Sequence, residues 1–163
     1  MKEGLSNLEA IAFLSTQPEG TWDIAPHKEK RSLNANALYR MMVTQMAKAL
    51  QISNPRMHNQ LLRKYGTQQL IDGEQVWVAL PDTKETEEEV EEDEYNHFQP
   101  TMRKTGTKRW YLLLKPSHEF DVAEMSRLID GAADEMRHMG LVPPMDEAIE
   151  KAIQNYERNH GDK

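Results

Sequence analysis

The sequence predicts an α+β fold: a small mixed domain with a three- to four-stranded antiparallel sheet and four to five helices. Segments with apolar residues at helical spacing lie towards both ends of the chain, and segments with a period of two lie between them. The two kinds do not alternate as they do in a parallel α/β protein. At 163 residues, the chain has the length of one domain, so we expect a single domain over residues 1–163.

Start signals mark the helices predicted in the amino-terminal third. Ser6-Asn7-Leu8-Glu9 has the form of a capping box and precedes an apolar run, which predicts a short first helix. Residues 22–25 predict a strand. Ser32 is a suitable N-cap for a second helix, whose apolar residues continue at helical spacing to about Gln51.

A third helix and a hairpin follow. Ser53-Asn54-Pro55 supplies a cap and a proline for the first turn, and Gly66 ends the helix. From Gln69 the apolar period changes to two, and Asp72-Gly73 is a tight-turn dipeptide. We therefore expect a β-hairpin here.

The carboxy-terminal half contains a polar stretch, a strong strand and two more helices. Residues 84–107 have few apolar side chains, so we interpret them as mostly a mobile acidic loop or an extension of the hairpin. The segment Arg109–Leu114 is aromatic and apolar after its first residue, which is typical of a buried strand. Asp121 opens a fourth helix with a second capping box, and a fifth helix begins at Asp146.

The charges of the chain are sorted into blocks. The segment Lys84–Glu94 holds eight acids and one base, and therefore accounts for the whole formal net charge of −7. In the neutral remainder, residues 27–65 hold eight bases and one acid, and residues 101–118 hold five bases and no acid. Two basic segments on one surface would suit a protein that follows a phosphate backbone. An inert solvated surface is the alternative interpretation of each charge run.

Polar and basic side chains of these two segments are candidates for contacts with a DNA backbone. The predicted DNA-binding residues are Lys28, Lys30, Arg31, Asn36, Arg40, Arg56, Arg63, Lys64, Arg103, Lys104, Lys108 and Arg109. The aromatic residues are weaker candidates for base stacking. Trp110 and Tyr111 lie in an apolar strand, where aromatic side chains are more often core, and Trp22 and Trp77 are ambiguous.

The acidic run has three interpretations, in decreasing order of preference. It is an inert solvated segment, a mimic of DNA that competes for the basic surface, or a contact for a basic partner.

Two segments carry a more specific pattern. Arg31-Ser32-Leu33-Asn34-Ala35-Asn36 places a cation and two Asn side chains at a helix start, and the helix from Asp121 is followed by Gly140-Leu141. Together they resemble the NinB family of phage recombination proteins, which includes the lambda Orf recombination mediator, in a version from a phage of Gram-positive bacteria. The matching residues are Arg31, Ser32, Leu33 and Asn36 in the first motif, and Glu124, Met125, Ser126, Leu128, Ile129 and Gly140 in the second. Ala35 departs from the family's Gln, and the acidic run has no counterpart.

The resemblance implies a mixed α+β domain that forms a homodimer. It also implies a non-catalytic mediator of DNA recombination that binds single-stranded DNA and helps a recombinase or annealing protein to load. The expected partners are therefore single-stranded DNA, single-strand-binding protein and a phage recombinase, and no cofactor is expected.

A metal-dependent recombination nuclease is the first alternative, because carboxylates with a histidine can converge on Mg²⁺ or Mn²⁺. The candidate ligands are Asp93, Glu94 and His97, or His118, Glu119, Asp121 and Glu124; His58-Asn59 also repeats two letters of the HNH nuclease motif. We favour a non-catalytic protein, because Asp121 and Glu124 are explained as a helix cap. A protein-only adaptor of replication or recombination proteins is the second alternative.

The composition favours the cytoplasm, and the resemblance to phage proteins implies the cytoplasm of a bacterial host. The chain has no cysteine, as is usual in a reducing compartment. It has no apolar run long enough to span a bilayer, and its first residues lack the pattern of a secretory signal. We therefore expect a cytoplasmic protein without a membrane partner.

Overall fold

A computed structural model describes Ser15 and residues 33–160. The chain divides into two compact units, Met1–Lys30 and Arg31–Lys163, and residues 33–160 belong to the second unit. The helix predicted after Ser6 and the strand predicted at 22–25 lie outside the described residues. The expectation of a single domain stays a prediction.

Residues 33–160 form five α-helices, a short 3₁₀-helix and two antiparallel sheets, which confirms the α+β prediction. The helices are α1 (Leu33–Leu50), α2 (Asn54–Tyr65), α3 (Lys84–Glu92), α4 (Val122–His138) and α5 (Asp146–His160). The strands are β1 (Leu70–Ile71), β2 (Glu74–Gln75), β3 (Trp77–Pro81), β4 (His97–Thr105) and β5 (Lys108–Leu114), and the 3₁₀-helix is Ser117–Glu119. Among these helices, none is both long and apolar enough to cross a lipid bilayer.

The starts of α2 and α4 are fixed by local hydrogen bonds that the sequence predicts. Ser53 caps α2, because its hydroxyl accepts a hydrogen bond from the backbone N–H of Arg56. Asp121 caps α4: its carboxylate accepts from the backbone N–H of Glu124, and the Glu124 carboxylate accepts from the backbone N–H of Asp121, both at 2.8 Å. Each cap satisfies amides that a helix leaves unpaired at its first turn.

The main core lies among α1, α2, α4 and α5. Its largest fully buried side chains are Met42, Met46, Leu61, Leu62, Met125, Leu128, Ile129, Met136 and Tyr156. Gly131 in α4 allows a close approach of α2, because a β-carbon there would lie 2.4 Å from ring atoms of Tyr65. The Tyr65 hydroxyl then donates to Glu135 in α4 at 2.6 Å.

The larger sheet has β5 in the middle, between β3 and β4, and both pairings are antiparallel. The smaller sheet joins β1 to β2 through Asp72 and Gly73, which have φ values of 52° and 81°. An Asp-Gly pair suits this turn, because these residues adopt a positive φ at low steric cost. The predicted hairpin is therefore confirmed.

The prediction of a loop across residues 84–107 is wrong, because this segment contains α3 and β4. The alternative of a hairpin extension holds for β4, which pairs with β5. Thr83 caps α3 through its side chain, and the acids of the first turn suit the positive end of a helix. Thr86 and Val90, one turn apart, are the buried residues of α3. Low apolar content suggests a loop in the sequence. Here it belongs instead to a helix that buries only one narrow stripe of side chains.

Candidate nucleic-acid interface

The predicted DNA-binding residues are dispersed over several elements. Lys28, Lys30 and Arg31 lie outside the described residues. The others are Asn36 and Arg40 on α1, Arg56, Arg63 and Lys64 on α2, and Arg103, Lys104, Lys108 and Arg109 on the β4–β5 hairpin. Their ion pairs separate them into two sets.

Three of these arginines are neutralised by the glutamates of α3. The pairs are Arg56 with Glu88 at 3.2 Å, Arg63 with Glu91, and Arg109 with Glu87 at 2.9 Å. Arg63 and Arg109 are largely buried, and a buried charge is stable only when it is paired. The expectation that both basic segments build one free positive surface therefore does not hold at these arginines.

The remaining basic residues are partly free. The two lysine pairs are Lys64 with Glu135 and Lys104 with Asp82. Arg40 and Lys108 are exposed and Asn36 is half-buried. Within residues 33–160, no carboxylate forms an ion pair with Arg40 or Lys108. Arg40 and Lys108 therefore keep a positive charge that a ligand can reach, whereas Asn36 is uncharged.

The register of the larger sheet gives it two chemically different faces. Trp77 pairs with Leu112, and Ala79 pairs with Trp110. Directly opposed residues share a face, and successive residues alternate between faces, so these four side chains lie together on what we term the tryptophan face. Arg109 points to the other side, where it contacts α3. We term that side the α3 face.

The guanidinium of Arg103 lies over both indoles of the tryptophan face. Its guanidinium carbon lies 4.8 Å from the ring centre of Trp110 and 5.5 Å from that of Trp77, which is the range of a cation–π contact. The Trp110 indole is held in turn, because its Nε1 donates to the Thr105 hydroxyl at 2.9 Å. The Arg103 side chain is exposed and has no hydrogen bond or ion pair within residues 33–160.

The tryptophan face is accessible from solvent. Trp77 is 37% exposed, and Trp110 is half-buried. Lys108 lies on the same face at the end of the hairpin, two residues before Trp110. Aromatic rings beside unpaired cations are the combination that binds unpaired bases together with their phosphates.

The structure separates two aromatic residues that the sequence treats alike. Tyr111 is 1% exposed and packs edge-on against Phe98, as expected of a core residue. Trp110 lies on the opposite face of β5 and is only half-buried. A sequence pattern that could have identified Trp110 as a site residue is the alternation of side chains from Lys108 to Leu112. This alternation places a cation and an indole on the same face of the strand.

A network of buried polar side chains joins α1, α2 and β4. The Tyr39 hydroxyl lies 2.7 Å from Nδ1 of His58, whose ring meets the ring of His97 edge-on with centres 4.9 Å apart. Nδ1 of His97 lies 2.6 Å from the amide oxygen of Asn59. The amide nitrogen of Asn59 donates to two backbone carbonyls at the end of α3, at 2.9 and 3.0 Å. This network therefore attaches α3 and β4 to α2.

Burial controls the protonation of the side chains in this network. It lowers the pKa of His58 to about 4, and repulsion from the Arg40 guanidinium and from His97 when that ring is protonated acts in the same direction. Burial also lowers the pKa of His97, although the Asp93 carboxylate opposes this shift. Burial raises the pKa of the Tyr39 hydroxyl. All three groups are therefore mainly neutral near pH 7, as suits a structural network.

The carboxylates proposed as nuclease ligands have other contacts. Asp93 accepts hydrogen bonds from the backbone N–H groups of Tyr95 and Asn96, at 2.8 and 2.9 Å. Glu124 lies 2.8 Å from the Lys115 ammonium and caps α4. Across the described part of the chain, no group of three or more His, Asp and Glu residues is arranged to hold a metal ion.

The chain matches no protein-family model, no curated protein sequence and no solved structure. The candidate interface therefore rests on the contacts and charges of the chain's own residues.

Proposed function

We propose that this protein binds single-stranded DNA on the tryptophan face and acts without catalysis. The observation that carries this proposal is the exposed stack of Arg103 on Trp77 and Trp110. Any base can stack on an indole ring, and such stacking contributes about 1–3 kcal/mol per base. The adjacent cations supply contacts to the phosphates.

The distribution of charge favours binding on this face. On the α3 face, Arg56, Arg63 and Arg109 are paired with glutamates, so they are not available to phosphates. Arg103 and Lys108 lie on the opposite face, and no carboxylate pairs with them within residues 33–160. Of the residues predicted on the hairpin, we therefore retain these two for the phosphate contacts.

A single strand fits the tryptophan face better than a duplex does. In a duplex, each base is stacked between its neighbours and does not present its aromatic face to a protein. An unpaired strand presents these faces to Trp77 and Trp110, so the stacking energy is gained only there.

The cellular role that we propose follows the resemblance to the NinB family. The protein would act as a phage recombination mediator in the cytoplasm of the bacterial host, as a homodimer. It would help a recombinase or annealing protein to load onto strands covered by single-strand-binding protein.

Fluorescence anisotropy tests the proposal. A labelled oligo-dT of about 15 nucleotides and a duplex of the same length are titrated at low and moderate salt. We expect the single strand to bind more tightly, and its binding to weaken steeply as salt rises, because neutralised phosphates release counterions. Equal affinity for the duplex would contradict the proposal.

Two substitutions at one position connect this binding to the tryptophan face. Trp77→Ala should weaken single-strand binding about 5- to 150-fold, which corresponds to a loss of about 1–3 kcal/mol of stacking. Trp77→Phe keeps an aromatic ring and should retain most of the affinity. Unchanged binding in Trp77→Ala, with an intact circular dichroism spectrum, would exclude this face.

The same samples separate the alternatives. DNA that is cut with magnesium but not with chelator would identify a nuclease. An absence of DNA binding at low salt would favour the protein-only adaptor.

A further inference from the structure

We infer that Arg103 occupies the base-stacking position of the free protein and leaves it when a base binds. The inference rests on the proposed function of the tryptophan face. It assigns to one side chain the selection of ligands that carry both an unpaired base and a phosphate.

The first step is steric. Trp77 and Trp110 come from different strands, β3 and β5, and the guanidinium of Arg103 is the planar group that contacts both rings. A base stacked on the same surface of these rings would need the space that this guanidinium fills. Stacking of Arg103 and stacking of a base there are therefore mutually exclusive.

The second step is energetic. The Arg103 side chain has no hydrogen bond or ion pair within residues 33–160, so its departure breaks only the two cation–π contacts. A base stacked across both indoles replaces a cation–π contact on each ring, and a cation–π contact at an exposed site is weaker than the stacking of a base on an aromatic ring. A base can therefore displace the guanidinium, and a ligand without a base gains nothing by doing so.

The third step concerns the displaced group. The backbone of Arg103 stays in β4, so its guanidinium remains within one side-chain length of the stacked nucleotide. A guanidinium binds a phosphate with several hydrogen bonds in a fixed geometry. Arg103 thus changes from a substitute for a base in the free protein to a phosphate ligand in the complex.

The salt dependence of binding separates these two roles. Wild type, Arg103→Ala and Lys108→Ala are titrated with labelled oligo-dT over about a tenfold range of salt. Each lost phosphate contact should make the slope of log K against log[salt] shallower by about 0.7 for a single strand. Both variants should therefore bind more weakly than wild type at low salt, with deficits that shrink about fivefold across the range.

The affinity extrapolated to 1 M salt distinguishes the two variants, since counterion release no longer contributes there. Lys108→Ala loses only a phosphate contact, so its extrapolated affinity should equal that of wild type. In Arg103→Ala the stacking position is already open, so its extrapolated affinity should exceed wild type by about threefold. Arg103→Lys should keep the wild-type slope, because it retains the charge.

An unchanged slope in Arg103→Ala, or an extrapolated affinity no higher than that of wild type, overturns the inference. Failure of the proposed function has a different result: wild type does not bind oligo-dT, or Trp77→Ala binds as well as wild type. Arg103 is exposed, so we expect Arg103→Ala to fold, and a circular dichroism spectrum checks this.

Discussion

The two faces of the larger sheet place arginine in opposite environments. On the α3 face, Arg109 lies 2.9 Å from the carboxylates of both Asp82 and Glu87. On the tryptophan face, Arg103 has two indole rings and solvent around it. One hairpin supplies both residues, and the alternation of side chains along its strands separates them. The number of basic residues in a segment therefore does not measure the positive charge of a surface. The face of the sheet on which each basic side chain lies decides whether an acidic side chain is beside it.

The largest effect should come from loosening the attachment of α3. Asn59 is fully buried, and its amide contacts both the end of α3 and His97. Asn59→Ala removes these hydrogen bonds and leaves their buried partners unpaired. We expect the free energy of unfolding to fall by about 3 kcal/mol, measured by urea denaturation.

The control for this substitution lies on the same helix. Gln60 is exposed, so Gln60→Ala should change the free energy of unfolding by less than about 0.5 kcal/mol. Equal effects of Asn59→Ala and Gln60→Ala would show that the buried amide does not hold α3.

Acid should weaken the same attachment. The pKa of His58 is about 4 in the folded protein and about 6.5 in an unfolded chain. The unfolded chain binds the proton first, so this contribution to stability is complete above about pH 6.5 and is lost as the pH falls towards 4. Between pH 7 and pH 5, we expect a loss of about 2 kcal/mol in a urea denaturation series.

A substitution identifies the group responsible. His58→Gln cannot titrate, so it should remove most of this dependence between pH 7 and pH 5. A variant that keeps the wild-type dependence would assign the loss to other groups.

Truncation of one arginine on each face tests the comparison directly. Arg109→Ala leaves Glu87 and Asp82 without this partner, so we expect a loss of about 1 kcal/mol in the free energy of unfolding. Its affinity for oligo-dT should stay within about twofold of wild type, because the lost charge lies on the α3 face. Arg103→Ala should show the reverse, with stability changed by less than about 0.5 kcal/mol and altered DNA binding. Similar profiles for the two variants would mean that the faces do not differ in function.

The sequence correctly predicts those elements whose start or turn is formed by residues close together in the chain. Ser53 and Asp121 cap helices through contacts within three residues, and Asp72-Gly73 forms its turn by itself. Each of these patterns is complete in a few consecutive residues, so the elements that they mark were correctly predicted.

The prediction of a loop at 84–107 failed for the opposite reason. The cap at Thr83 is local, but the stability of α3 also depends on ion pairs with Arg56 and Arg63, which are about 30 residues earlier in the chain. A highly acidic helix is favourable when basic side chains face it, and the sequence alone does not say which side chains these are.

The sequence points to only some residues of the candidate site, for the same reason. The charges of Arg103 and Lys108 make them candidates in the sequence, but the role of Trp77 and Trp110 depends on the pairing of β3 with β5. Strand pairing is not local, so the sequence left Trp77 ambiguous and favoured the core for Trp110.

The smallest expected effect is that of removing a charge from α3 on the affinity for oligo-dT. This measurement distinguishes a structural role of α3 from imitation of DNA. Glu89 is exposed, and its side chain has no hydrogen bond or ion pair within residues 33–160. Helix α3 lies on the face opposite to the tryptophans. At about 0.1 M salt, charges more than about 10 Å apart are largely screened. Glu89→Gln should therefore change the affinity for oligo-dT by less than about twofold in an anisotropy titration.

Glu88→Gln is the matched substitution, since it removes the same charge from a glutamate that pairs with Arg56. If α3 imitates DNA and competes for the site, both variants should bind oligo-dT several-fold more tightly than wild type, most of all at low salt. Two unchanged affinities would leave α3 as a counter-charge for buried arginines. The acidic run would then act on DNA binding only indirectly, by restricting the free positive charge of the sheet to the tryptophan face.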